Sequence, residues 1–127
     1  MSAGAVVPDP VHQALIGEAG ECAALAISVY DDDGRYVAVN RRAQELLGYS
    51  REELLAHDVG DFTSGGIDRS VLLRPQVREG VRVVERKDGT TFPAAFVVAP
   101  TRLAGLDFFV SVWWEIAPDD PRAGGAT

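Results

Sequence analysis

The chain reads as an α+β protein: a five-stranded antiparallel sheet with short helices across one face and one more helix in front of it. Three observations predict this. Apolar residues alternate with a β period in two runs before a helix-rich middle and three after it. The pairs Asp33-Gly34 and Asp88-Gly89 supply the positive-φ chemistry of tight hairpin turns between such runs. The middle, "NRRAQELLGYSREELLAHDVGDF" from Asn40 to Phe62, packs two helix starts and a glycine stop so closely that only short helices fit.

Length and composition set the frame. At 127 residues there is room for one domain with a modest core. With 46% hydrophobic and 24% charged residues the chain should fold. Twelve bases against nineteen acids give a net charge of −7, and the bases are scattered from Arg35 onward. No basic stripe forms, which argues against nucleic acid and anionic membranes as partners. No run is long enough to span a membrane and the start lacks the basic stretch of a secretory signal, so the expected location is the cytoplasm. The lone Cys22, between small and apolar neighbours, is expected to be buried as a small hydrophobe.

The elements follow in order. Residues 1–8 have the composition of a flexible tail. Asp9 and Pro10 start a helix over residues 9–24, with Val11, Leu15, Ala19 and Cys22 on one face and Gly17 and Gly20 weakening it. "AISVYDDDGRYVAVN" is a hairpin. Its three adjacent carboxylates read as a solvated turn, since they cannot all converge on one ion and no further ligand is spaced as in a calcium loop. Asn40 caps a helix ending at Gly48. Ser50 to Glu53 forms a capping box, and Tyr49 and Leu54 have the spacing of a hydrophobic staple. Leu46, Leu47, Leu54 and Leu55 then share a centre. Asp68 starts a helix to about Glu79 that Pro75 interrupts. The strands "VRVVER", "TFPAAFVVAP" and "LDFFVSVWWEI" follow, separated by the turn "KDGT" and a loop "TRLAG". Pro93, which lacks an amide donor, belongs at a strand edge or bulge. Residues 25–117 thus form the folded domain, and residues 118–127 a second flexible tail. A lone hairpin is marginal, so all five strands share one sheet.

Several of these pieces coincide with a family pattern. Asp31 to Arg35, Asn40, the run Gly48-Tyr49-Ser50-Arg51-Glu52-Glu53-Leu54, the turn Arg86 to Gly89 and the closing Glu115-Ile116-Ala117 together resemble a PAS domain, from about Ala26 to Ile116. The resemblance implies a sensor and dimerisation module with a pocket between helices and sheet. In many members a signalling helix follows the closing motif; here Pro118 and Pro121 stop one.

The resemblance also bears on cofactors. Flavin photosensors of the family place a reactive cysteine shortly after the Gly-Tyr-Ser-Arg-Glu-Glu run, where this chain has Val59. Their amide side chains correspond to Val84, Ala94 and Trp113. Haem-binding members use a histidine on the central helix, and none lies between Asp58 and Gly80. His57 and His12 are expected at the surface. Flavin and haem are therefore disfavoured, no metal spacing is seen, and no cofactor is expected. What remains is an apolar lining of Leu47, Leu55, Val59, Val84, Phe92, Ala94, Phe96, Val98, Phe109, Ser111 and Trp113. It reads either as a packed core or as a pocket for a small apolar ligand.

With Trp113 inward by that alignment, Phe108, Val110, Val112, Trp114 and Ile116 form an outer apolar face expected to pair two copies of the chain. The function expected is a sensory or interaction module without catalysis, open to a signalling-protein partner. The alternative is a small α+β enzyme with an apolar cavity, like ketosteroid isomerases. It would need Glu85, Asp107 or Glu115 as a buried acid or base.

Overall fold

The computed structural model describes residues 9–63, 71 and 74–125. In order they form α1 (Asp9–Glu21), β1 (Ala26–Asp31), β2 (Tyr36–Val39), α2 (Arg41–Leu47), α3 (Arg51–Leu55), β3 (Arg78–Glu85), β4 (Thr91–Leu103) and β5 (Leu106–Glu115). The strands make one antiparallel sheet in the order β2-β1-β5-β4-β3. Single turns of 3₁₀ helix follow at Val59–Phe62 and Pro121–Gly125. The tail expected at residues 1–8 and most of the helix expected from Asp68 lie outside the described residues.

The bent middle forms for local reasons. The Asn40 carbonyl oxygen of the side chain caps α2 by accepting from the Ala43 amide. Gly48 stops α2 at φ 78°, a conformation that penalises any side chain bearing a Cβ. Two residues on, Ser50 and Glu53 exchange the two bonds of a capping box and start α3. Leu46, Leu47 and Leu54 are thereby buried against the sheet, with Leu55 and Tyr49 packed beside them. Lys87 ties the β3–β4 turn to the same corner: its amide donates to the Leu47 carbonyl at 2.9 Å and its ammonium pairs with Glu53 at 2.6 Å. That partner, with the Ser50 amide, pushes the exposed Glu53 carboxyl down to about 2.

Asn40 does more than cap. Its side-chain oxygen also accepts from the Ile27 amide at 2.9 Å, and its Nδ2 donates to the carbonyls of Gly20 (2.7 Å) and Leu25 (3.0 Å). All four bonds of a buried amide are filled. One side chain joins the end of α1, the start of β1 and the start of α2.

Four sequence expectations are corrected. Cys22 is exposed, as is Ala19 one turn before it, although the chain comes close to the sheet at Gly20, beside Ile27. β3 begins at Arg78, not after Gly80, and residues 74–77 are not helical. Pro93 lies in an interior strand. Its carbonyl accepts from Ile116 just past the end of β5, so its missing donor points where no ladder bond is needed. The expected loop Thr101–Gly105 is mostly strand, paired down to Leu103 and Leu106 and closed by Ala104 and Gly105. Beyond Ile116 the chain turns, and the 3₁₀ turn Pro121–Gly125 packs against β3.

Ala104 is the one non-glycine residue at positive φ among those described, at 53°. Alanine is disfavoured there by about 1 kcal/mol, whereas Asn followed by Gly is the preferred two-residue hairpin turn. Ala104→Asn is expected to raise stability by about 0.5–1 kcal/mol and the melting midpoint by roughly 2–4 °C. A calorimetric midpoint at or below that of the parent would refute the turn.

Candidate functional site

Between the helices and the inner face of the sheet lies a cavity of about 80 Å³. Strand alternation decides what reaches it. On β5, Phe109, Ser111 and Trp113 are buried, and Phe108, Val110, Val112 and Trp114 stand half-exposed on the other face. On β4, Ala94, Phe96 and Val98 point in, and on β1, Ser28 and Tyr30 do. Of the residues expected as lining, Leu47, Val59, Val84, Ala94, Phe96, Val98, Ser111 and Trp113 border the cavity. Leu55, Phe92 and Phe109 sit in the surrounding core: Phe92 stacks on Trp113 at 6.3 Å and Phe109 on Tyr30 at 5.1 Å.

The cavity is less apolar than the sequence suggested. Ser28, Tyr30, Tyr36, Thr63 and above all Arg78 and Arg82 also line it, with Phe62. The arginines come from β3, whose inner face carries residues 78, 80, 82 and 84. Because Val84 had been placed inward, period two alone could have brought Arg78 and Arg82 with it. Gly80, between them, makes this possible. A Cβ there would lie 3.1 Å from the Phe96 ring, so the missing side chain leaves the ring a seat. The two guanidinium groups then lie 5.2 and 5.8 Å from the Phe96 centroid.

Hydrogen bonds fix several polar groups. Trp113 Nε1 donates to Ser28 Oγ at 3.1 Å, which orients the indole, and Arg78 donates to the Tyr30 hydroxyl at 3.4 Å. Burial pushes the phenols of Tyr30 and Tyr36 up, so both remain protonated donors at neutral pH. Burial, with the positive charge of Arg78 second, lowers Arg82. Among the described residues no carboxylate borders the cavity. Glu85, Asp107 and Glu115 are exposed, so none stands where the isomerase-like alternative needs an acid or base.

The remaining candidates resolve simply. His57 is half-exposed rather than free at the surface. Its ring packs at 5.2 Å from Phe62 and 5.8 Å from Tyr49, and its Nδ1 is 3.0 Å from an Asp61 oxygen. The His12 side chain lies outside the described residues. Carboxylate oxygens of Asp31, Asp32 and Asp33 come within 4.8 Å of one another, but one Asp31 oxygen is already taken by the amides of Asp33 and Arg35 that shape the turn. As to ring cofactors, the described lining offers no cysteine, histidine or side-chain amide, and 80 Å³ holds only two or three waters' worth of volume, at roughly 30 Å³ each. A flavin or haem does not fit these walls.

Ile116, also expected on the outer face, lies just past the end of β5 and is 6% exposed, its amide donating to the Pro93 carbonyl. Four residues of the expected face thus remain on β5. Ile27 and Val29 on β1, Val81 and Val83 on β3 and Val97 on β4 extend it, all only partly covered.

A PAS-domain family profile matches residues 24–115. No sequence among the curated proteins matches the chain. Solved structures agree on the fold. The PAS domain of an HTR-like protein from Haloarcula marismortui superposes with a TM-score of 0.74 at 24% identity, covering 84% of this chain and 93% of that one. A PAS domain from a two-component sensor histidine kinase gives 0.76 at 15% identity, over 86% and 100%. An RNA-binding Light-Oxygen-Voltage receptor gives 0.77 at 19% identity, over 91% of this chain and 36% of its own. The five-stranded sheet, the bent helical middle and the matched profile agree: the chain belongs to the PAS domain family, whose members are sensory modules in signal transduction.

Proposed function

We propose that this PAS domain is a non-catalytic sensory and interaction module that signals by pairing with a second copy of itself through the outer face of its sheet. The observation that supports the reading is that face. Phe108, Val110, Val112 and Trp114 stand in a row on β5, flanked by Val29 and Val97, and all are partly open to solvent. Contiguous apolar surface of this kind marks an interaction site. A two-fold pair would bring the same row of each copy together, since such an interface is self-complementary. α1 leaves Pro10, Val11 and Ala14 exposed and is free to add to the contact. The functional unit is residues 25–117, with residues 9–24 as its flanking helix. Among the described residues no helix is long and apolar enough to cross a membrane. A single exposed thiol, Cys22, is in keeping with a reducing cytoplasm. The cavity supports a sensory role for a small molecule.

Val112→Arg tests the pairing. A charge forced into the centre of an apolar contact should weaken association by about 3 kcal/mol, over a hundredfold. Sedimentation should show a dimeric parent and a monomeric, normally folded variant. A parent that sediments as a monomer at high concentration defeats the proposal.

A further inference from the structure

We infer that the free end of the β4–β5 hairpin anchors the pairing of two copies: Leu103 and Leu106, on the outer face of an arm that reaches past its own sheet, dock on the sheet of the second copy. The inference rests on the self-pairing reading above and names the part of the chain that carries most of the contact.

The arm follows from strand length. β4 has 13 residues and β5 has 10, more than their neighbours pair. Among the described residues the ladder to β3 begins at Arg78 opposite Val98, and the ladder to β1 stops at Asp31 opposite Phe108. Past these rungs β4 and β5 continue as a two-stranded ribbon to Leu103 opposite Leu106. Residues 101–107 are exposed on both faces. Ala104 and Gly105, both at positive φ, close the ribbon as a tight two-residue turn. Two strands alone are marginal in water, so a ribbon held out from its sheet gains from a surface to lie on.

Its side chains say which surface. The three most exposed large apolar residues among those described are Leu103 (69%), Val77 (66%) and Leu106 (62%), and all three stand at this end of the sheet. Alternation puts Leu106 on the face of Phe108 and Val110, and Leu103, opposite Leu106, shares it. The outer apolar surface therefore runs on to the tip. A stable pair needs about 800 Å² from each partner. A whole aromatic side chain carries about 150–250 Å², and Phe108 and Trp114 are already more than half covered. The row on β5 falls short of that area alone, and the open leucines supply much of the rest.

Strand addition is the other way an arm could pair, and Pro100 argues against it. The Ile116 amide bonds the Pro93 carbonyl, so odd residues of β4 turn their backbone groups to β5 and even ones to the free edge. Pro100 stands on that edge with no donor. The contact is made by side chains.

The test is sedimentation equilibrium of the whole chain. Leu103→Ser and Leu106→Ser together should raise the dimer dissociation constant at least roughly tenfold with the circular dichroism unchanged. Asp107→Ser, on the other face of the same arm, should leave association as in the parent. Amide exchange in the parent reads the contact without any substitution: residues 101–107 should exchange severalfold more slowly at dimer-forming concentration than in dilute solution. A dimeric parent that Val112→Arg dissociates but the double variant does not, or whose arm amides ignore concentration, would overturn the arm as anchor and leave the pairing. Equal weakening by Asp107→Ser would show a disturbed arm in place of an apolar contact, and overturn it too. A monomeric parent would overturn both readings, and one that floats with phosphatidylcholine vesicles through these leucines would assign the arm to lipid.

Discussion

Asn40→Asp is expected to remove about 3–5 kcal/mol of folding stability, a large part of what a domain of this size possesses. The side-chain nitrogen of Asn40 donates to two carbonyls, at 2.7 and 3.0 Å, in a site only 6% exposed. An ionised carboxylate would set an oxygen against those carbonyls with no proton to give. Its pKa in the folded state must therefore rise above the unfolded value of about 3.9. A group raised in this way is least harmful below its unfolded pKa and most harmful above its folded one. The stability gap to the parent should therefore widen as pH rises through the folded pKa and narrow again in acid. Asn40→Ala, which removes the bonds without adding charge, should give a smaller gap that does not change with pH. Urea denaturation at several pH values reads both. A loss under 1 kcal/mol for the aspartate variant would show that the four-bond junction does not form.

Leu54→Ala comes second, at about 3–4 kcal/mol. Leu54 is 0% exposed and does not border the cavity, so truncation opens a new void in packed surroundings. Leu47→Ala is the informative comparison. Leu47 is nearly as buried, at 1%, but lies against space that already exists. It loses fewer contacts and should cost less, nearer the low end of the range for such changes, about 2 kcal/mol. The order of the two in equilibrium denaturation is the test: a costlier Leu47→Ala would contradict the cavity's position.

What the sequence disclosed divides by distance along the chain. The caps at Asn40 and Ser50, the stop at Gly48 and the Asp-Gly turns were legible because each is completed within about four residues. The inner row of β5 was legible because alternation carries one orientation along the whole strand. The other bonds of Asn40 were not, since Gly20 lies twenty residues back and no local pattern links them. Arg78 and Arg82 were missed for another reason. Their parity with Val84 points inward, but the seat for Phe96 over Gly80 that brings them in is a tertiary fit. Cys22 was misjudged because helical spacing shows that a face exists, not that anything covers it.

Trp113 and Trp114 are adjacent, yet one is hydrogen-bonded to Ser28 inside the core and the other stands half-open on the opposite surface. They are the chain's only tryptophans. The molecule therefore carries its own pair of optical probes, one for each side of a single strand. Emission that a soluble quencher cannot reach belongs to Trp113 and follows whatever enters the cavity. The quenchable fraction belongs to Trp114 and follows whatever covers the sheet. One titration, read in these two fractions, separates events on the two faces and shows whether a change on one is felt on the other.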